Sequence, residues 1–313
     1  MKVMVTGGAG FIGSTLVDRL LADGHVVDVV DDLSSGPLAN LSDARARGRG
    51  RFSFHRLDVR STALSELIAV RRPEVVMHLA GQVDVRTSFA KPLLDAEVNI
   101  LGSINVCQGA VAARTRKVVF AGSGTTLYGE PDELPAREGH PQQPHSPHGV
   151  AKKAVADYLH AYRVAQGLES TVLALADVYG PRQDTRAGSG VVAIFAGRLL
   201  TRERATIFGD GTQTRDFVFV DDVVDAFVAA IEGGGGLTIN VGTGVGTSVQ
   251  ALYDAMARLT GTDDPPRRAE ARPGDVLHSV LDPGRAGTHL GWEPRTDLES
   301  GLVRTLAWYR DRM

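Results

Sequence analysis

Residues Lys2-Val3-Met4-Val5-Thr6-Gly7-Gly8-Ala9-Gly10-Phe11-Ile12-Gly13-Ser14-Thr15-Leu16-Val17 decide the reading of this chain. A β-branched run enters a glycine cluster and leaves as apolar residues at helical spacing, which predicts strand, tight turn and helix. Such a turn suits phosphate, because a helix N-terminus presents unpaired N–H groups and the positive end of its dipole. Gly7 allows the sharp turn, Gly10 admits a pyrophosphate close to the backbone, and Gly13 lets the helix pack tightly on the strand. Phe11 and Ile12, between the last two glycines, belong to the same predicted cradle.

The next strand is predicted at 25–30, and Asp31-Asp32 follows it. This is roughly 20 residues past the turn, where a carboxylate can hold the ribose hydroxyls of adenosine. An acid here also repels a 2′-phosphate. The predicted cofactor is therefore NAD rather than NADP, with Asp31 as the ribose ligand and Asp32 beside it.

Beyond Asp31, extended segments at 51–57, 75–79, 117–121 and 171–175 alternate with helical patterns at 63–70, 93–112 and 150–165. Alternation of this kind predicts an α/β fold, a doubly wound parallel sheet with helices on both faces, joined by right-handed crossovers. Ligands of such sheets lie beyond the carboxyl ends of the strands. Asp58, Val59, Leu79, Ala80, Gly81 and Gln82 therefore border the dinucleotide. The last third reads as a smaller C-terminal substrate-binding domain. The expected division is 1–176 for the dinucleotide domain, with 217–242 returning to it, and 177–216 with 243–313 for the lid.

The chain has 313 residues and a formal net charge of −3, so nothing global attracts nucleic acid or an anionic membrane. The basic run 44–51 lacks aromatic partners and reads as a solvated loop. Cys107 is the single cysteine, which leaves neither a disulfide framework nor a cysteine metal site. The first strand begins at once and no apolar run approaches membrane-spanning length, so a cytoplasmic protein is expected.

The pieces "VTGGAGFIGSTLVDRLLADGH", "DDLSSG", "LDVR", "HLAGQVDVRTS", "LYGE", "SPHGVAKKAVADYL", "DVYGPRQD", "GDGTQTRDFVFVDDVVDA", "INVGTG" and "ARPGDVLHSVLD" occur in this order. Together they resemble the extended short-chain dehydrogenase/reductase family, in its UDP-glucose (UDP-galactose) 4-epimerase branch. The resemblance implies a Rossmann domain holding NAD and C4 epimerisation of a UDP-hexose, glucose/galactose or the uronic acids. Hydride leaves C4 and returns to the opposite face of a 4-keto intermediate. It also implies Asn99 as a cofactor contact and a homodimer built through the helices at 93–112 and 150–165.

In that family the proton of the 4-hydroxyl is taken by the tyrosine of a Tyr-x-x-x-Lys motif, and the lysine holds the nicotinamide ribose. Here Lys152 matches the lysine, and His148 stands at the tyrosine position. The strand-end hydroxyl that binds the 4-oxygen is open among Ser123, Thr125 and Thr126, with Ser123 and Thr126 favoured. Asp177 stands where the family usually has asparagine. An ionised carboxylate there repels a diphosphate by a few kcal/mol at low effective dielectric, so it must turn away, pair with an arginine or face something else. By resemblance Gln213, Arg215, Arg272 and Asp275 hold the nucleotide diphosphate and ribose, the arginines through bidentate forks.

An imidazole, which titrates near neutrality, is a competent general base, whereas a phenol near 10 must be pulled down first. It is also shorter than a phenol by roughly 2 Å, against a required hydrogen-bond reach of about 2.6–3.2 Å. Three readings stay open: His148 is the base, directly or through water; Thr126 or Tyr128 serves with a water; or the protein binds NAD and a nucleotide sugar with little or redirected catalysis. An epimerase of a different nucleotide sugar is a further alternative. Dehydratase and decarboxylase relatives carry a carboxylate after the strand-end threonine, and Ser123-Gly124-Thr125-Thr126 has none. His140, His145 and His148 lack an accompanying carboxylate or cysteine at ligand spacing, so no metal is expected.

Overall fold

The computed structural model describes residues 1–185, 190–271 and 276–312. In chain order its strands are β1 (Lys2–Thr6), β2 (Val26–Asp31), β3 (Phe52–Arg56), β4 (Val75–His78), β5 (Lys117–Ser123), β6 (Glu169–Leu175), β7 (Asp177–Tyr179), β8 (Thr206–Phe208), β9 (Thr214–Phe219), β10 (Thr238–Val241), β11 (Gly246–Ser248), β12 (Arg267–Ala269) and β13 (His278–Ser279). Seven of them form one sheet in the order β10-β6-β5-β4-β1-β2-β3. Every pairing in it is parallel. The strand order reverses between β1 and β4, which opens a crevice at their carboxyl ends.

Side chains on successive strand residues point to opposite faces, and both faces here are covered, so the strands are apolar throughout. Val3, Val5, Val27, Val29, Val75 and Met77 pack on one side with Leu16, Val17 and Leu20 of the helix Phe11–Ala22 and Val223 and Phe227 of the helix Val220–Ala229. Met4, Val30, Val76, Val118 and Phe120 pack on the other side with Leu64, Ile68, Val106, Val155 and Leu159. Cys107 lies in this second layer, and burial pushes its thiol up to about 12.

The smaller domain has its own core, with Phe195, Leu252, Met256, Leu302 and Leu306 around β9. There β11, β9 and β13 form a sheet to which β7 adds by pairing with β9, and β12 pairs with β8. Only the first residues of the stretch expected to return, 217–219, lie elsewhere. Phe217–Phe219 belong to β9 and the small sheet; the chain re-enters the large domain through the helix Val220–Ala229 and the edge strand β10. β-branched and aromatic runs carry no signal of which sheet will take them.

Two helices also differ from the periodicity. The stretch expected as one helix at 93–112 is divided into Pro92–Ala96, a π-helical turn Glu97–Leu101, and Gly102–Ala113. Apolar spacing does not register a single widened turn, which is often a functional feature. The helix expected from 150 begins at Pro147 and runs to Gln166. Ser146 caps it, its hydroxyl accepting from the Gly149 amide at 3.1 Å, and proline suits the first helical position. His148 therefore sits in the first turn of a helix rather than at the end of a loop.

Candidate active site

A cavity of about 850 Å³ lies at the carboxyl ends of β1, β2, β4, β5 and β6. Its walls include Gly7, Gly10, Phe11, Ile12, Gly13, Asp31, Asp32, Asp58, Val59, Leu79, Ala80 and Gly81 from the predicted cofactor set, and Ser123, Thr126, His148, Lys152 and Asp177 from the predicted catalytic and substrate sets.

The cradle at its base is built from backbone. Gly7 has a φ of +71°, and a Cβ there would meet the Ala80 nitrogen at 2.6 Å. A Cβ on Gly13 would meet the Gly7 carbonyl oxygen at 2.1 Å. No side chain caps the helix Phe11–Ala22, whose N-cap is Gly10, so its leading amides are left for an anion. Asp31 is held in place by both oxygens: Oδ2 accepts from the Ala9 amide at 2.9 Å and Oδ1 from the Leu33 amide at 2.8 Å. Burial pushes its carboxyl up, and the two backbone bonds oppose that. Each oxygen keeps acceptor capacity for a ribose hydroxyl. Asp32 turns to Ser34, accepting from its amide at 2.9 Å. Asp58 is gripped by Arg60, whose hydrogen bonds hold it below the usual carboxylate range. An open helix N-terminus, glycines whose place a Cβ would fill, and a carboxylate at the end of β2 fit a dinucleotide.

His148 and Lys152 lie one turn apart on the helix Pro147–Gln166 and share its inner face. They are 4% and 7% exposed. Lys152 Nζ donates to the Ala121 carbonyl at 2.9 Å and stands 4.7 Å from the centre of the Phe120 ring. Burial lowers its ammonium to about 8, against the pull of Asp95. His148 Nδ1 is enclosed without a hydrogen bond, 3.8 Å from Asp95 Oδ1, while the ring borders the cavity.

The hydroxyls after β5 are sorted by their neighbours. Thr125 Oγ1 donates to Asp177 Oδ2 at 3.1 Å, whereas Thr126 Oγ1 is buried with no partner. Ser123 ends the strand on the cavity wall. Tyr128 is not available as an alternative base: its phenol is buried, donates to Asn240 Oδ1 at 2.7 Å, and is pushed upward by burial. Asp177 does not turn away. It faces the cavity, and burial raises its carboxyl, with the charge of Arg215 and the bond from Thr125 opposing.

Other predicted residues lie elsewhere. Gln82 and Asn99 stand behind the cavity wall and support it: Asn99 Oδ1 accepts from the Gln82 amide and its Nδ2 donates to the Gln82 carbonyl, both at 3.0 Å. Gln213 Nε2 donates to the Phe208 carbonyl at 2.8 Å, and Arg215 Nη1 to the Thr214 carbonyl at 2.8 Å. Among the described residues neither reaches the cavity wall. Arg272 and Asp275 lie outside the described residues. Among those that are described, no group of three or more His, Cys, Asp and Glu is disposed to hold a metal ion.

The sequence reading missed Asp95, and also Arg182, Gln183, Trp308 and Tyr309, which close the cavity from the smaller domain. Tyr309 donates its hydroxyl to the Gln183 carbonyl, joining the C-terminal helix to the loop after β7. The spacing of Asp95 and Asn99, one turn apart, was the only local sign of the first.

The chain is similar over its whole length to characterised proteins. It is 47% identical to the UDP-glucose 4-epimerase of Mycolicibacterium smegmatis, covering all of this chain and 99% of that one. The crystal structure of UDP-glucose 4-epimerase with UDP-glucose from Thermotoga maritima superimposes with a TM-score of 0.96 at 41% identity, covering 100% and 99% of the two chains. That of the Thermus thermophilus UDP-glucose 4-epimerase complex with NAD gives 0.92 at 37%, covering all of both. With residues 3–242 matching its family model, the chain belongs to the NAD dependent epimerase/dehydratase family.

Proposed function

We propose that this protein interconverts C4 epimers of a UDP-hexose with His148 as the proton shuttle. It is an NAD-dependent nucleotide-sugar epimerase, and the observation that carries the role of His148 is its place: buried, one helical turn from Lys152, on the wall of the dinucleotide cavity that Thr126 also lines. The bound cofactor supplies a hydride acceptor and donor at C4. When it is bound, the glycine turn would hold its pyrophosphate, Asp31 its adenosine ribose, and Lys152 its nicotinamide ribose.

Thr126 and Ser123 hold the 4-oxygen. His148 takes the 4-hydroxyl proton as the C4–H bond breaks, and gives it back when the C4–H bond re-forms on the other face of the 4-keto sugar. A single group serves both half-reactions because the proton leaves and returns at the same oxygen. A water fills the gap left by the shorter ring where the sugar does not move in.

The direct test is turnover of UDP-galactose, UDP-glucose and UDP-glucuronate by the natural protein, His148→Phe and His148→Tyr. Epimerisation by the natural protein and its loss in His148→Phe support the reading. No turnover by the natural protein together with a gain in His148→Tyr would replace it with a nucleotide-sugar binder.

The reading includes a homodimer. Leu93 and Leu101, and Val150 and Tyr158, are exposed large apolar residues on helical segments that pack together, and a second copy of the chain would cover them. Sedimentation of the purified protein tests this, and a monomer at micromolar concentration rejects it. A cytoplasmic location belongs to the same reading and is supported by the lone, buried Cys107; no described helix is long and apolar enough to cross a membrane.

A further inference from the structure

Asp95 is the one carboxylate among the described residues paired with His148, and the two come from different helices. Its Oδ1 lies 3.8 Å from His148 Nδ1, an ion-pair distance that is longer than a hydrogen bond. The same oxygen accepts from Gln82 Nε2 at 2.8 Å and from Asn99 Nδ2 at 3.0 Å. Asp95 is 1% exposed, and among the described residues no lysine or arginine forms an ion pair with it. Lys152 acts on it only from beyond ion-pair distance, and a buried carboxylate with no cation in contact is costly unless it is hydrogen-bonded or faces a group that becomes positive. Here two neutral amides hold it, and the group it faces is the imidazole placed at the reacting centre.

We propose that Asp95 is the positioning residue of His148: it holds the ring with Nδ1–H toward the carboxylate, leaving Nε2 free to take the sugar 4-hydroxyl proton, and it stabilises the imidazolium so formed. This rests on the reading of His148 as the base. The proton moves from the 4-oxygen to Nε2 and back, and Asp95 stays ionised throughout. Burial alone would raise the Asp95 carboxyl, but His148 and the two amides hold it below the usual range, consistent with an ion at neutral pH. At 3.8 Å the pair is close enough for charge to act between them, and a small turn of the ring would bring Nδ1–H into hydrogen-bond reach. A phenol at position 148 would have no second proton-bearing nitrogen and no cation for Asp95 to stabilise, so the pairing is tied to histidine.

Asp95 also anchors Gln82 and Asn99, so loss of activity on its replacement would not by itself separate the two roles. Asp95→Asn keeps an acceptor for both amides and removes the charge. In the natural protein Asp95→Asn should lower kcat by about 10- to 100-fold, a part of the roughly 10²- to 10⁴-fold that a general base itself supplies, with KM for UDP-galactose and bound NAD changed less than about twofold. In a His148→Tyr background it should change kcat less than about twofold. Equal loss in both backgrounds, or no loss in either, overturns the proposal. Nitrogen NMR of the labelled imidazole decides the matter where His148→Tyr is inactive. The neutral ring should carry its proton on Nδ1 in the natural protein and shift toward Nε2–H in Asp95→Asn; an Nε2–H ring in the natural protein overturns the proposal. Undiminished turnover by His148→Phe is a separate result, and it would remove the base reading itself.

Discussion

Thr125 Oγ1 donates to Asp177 Oδ2 at 3.1 Å, and this one bond assigns different roles to two adjacent threonines. Thr125 is spent on a carboxylate from the strand that leads into the smaller domain, while Thr126, a residue of the cavity wall, keeps an enclosed hydroxyl with no partner. A buried hydroxyl without a partner costs free energy, and the 4-oxygen of a bound sugar would satisfy it. Thr126→Val should therefore lower kcat by roughly 10², as loss of one donor to a reacting oxygen does. Thr125→Val should leave kcat within a few fold. Steady-state kinetics of the two variants checks the pair, and the reverse order would move the role to Thr125.

Asp177 carries a half-buried carboxyl whose affinity for protons is raised above its ordinary value, chiefly by desolvation. The native state then binds the proton more tightly than the unfolded chain, so this group lowers stability as pH rises above about 3.8. Asp177→Asn should stabilise the protein at pH 7 and lose that advantage toward pH 4. It should also lower KM for UDP-sugars, since a neutral amide does not repel a diphosphate. Thermal unfolding at both pH values and a KM determination at pH 8 provide the check; destabilisation at pH 7 would contradict it.

Burial disfavours the charge of Lys152 and pushes its ammonium down to about 8. A neutral amine there binds a ribose less firmly than an ammonium. NAD affinity should fall as pH rises through about 8, and Lys152→Met should bind NAD more weakly and lose that dependence. Equilibrium binding at pH 6.5 and 9.5 reads both effects. A flat pH profile in the natural protein would show that the ammonium is not a cofactor contact.

Gly13→Ala brings a Cβ to 2.1 Å from the Gly7 carbonyl oxygen and 2.9 Å from the Gly8 Cα. Both contacts are backbone, so the helix must move off the turn. Overpacking of this kind costs on the order of 1–3 kcal/mol, and the displaced amides lose their aim at the pyrophosphate. Gly13→Ala should unfold at lower denaturant and purify without NAD. Retention of a full complement of cofactor would contradict the cradle.

The sequence determined the parallel layers and the cradle on its own, for a local reason. Strand-turn-helix geometry at 2–17 depends on residues within one turn of each other, and the acid after β2 follows at a distance set by a single helix. Lys152 was equally legible, because one helical turn from residue 148 is the same in any helix. Only the tertiary structure decided what His148 faces. Asp95 is remote in sequence and reaches His148 because two helices pack together. It likewise decided which threonine is free, since Asp177 arrives from beyond β6, and which sheet takes β9. Residues 217–219, expected to open the return to the large domain, fall in the small sheet for that reason: strand propensity is local, and the choice of pairing partner is not.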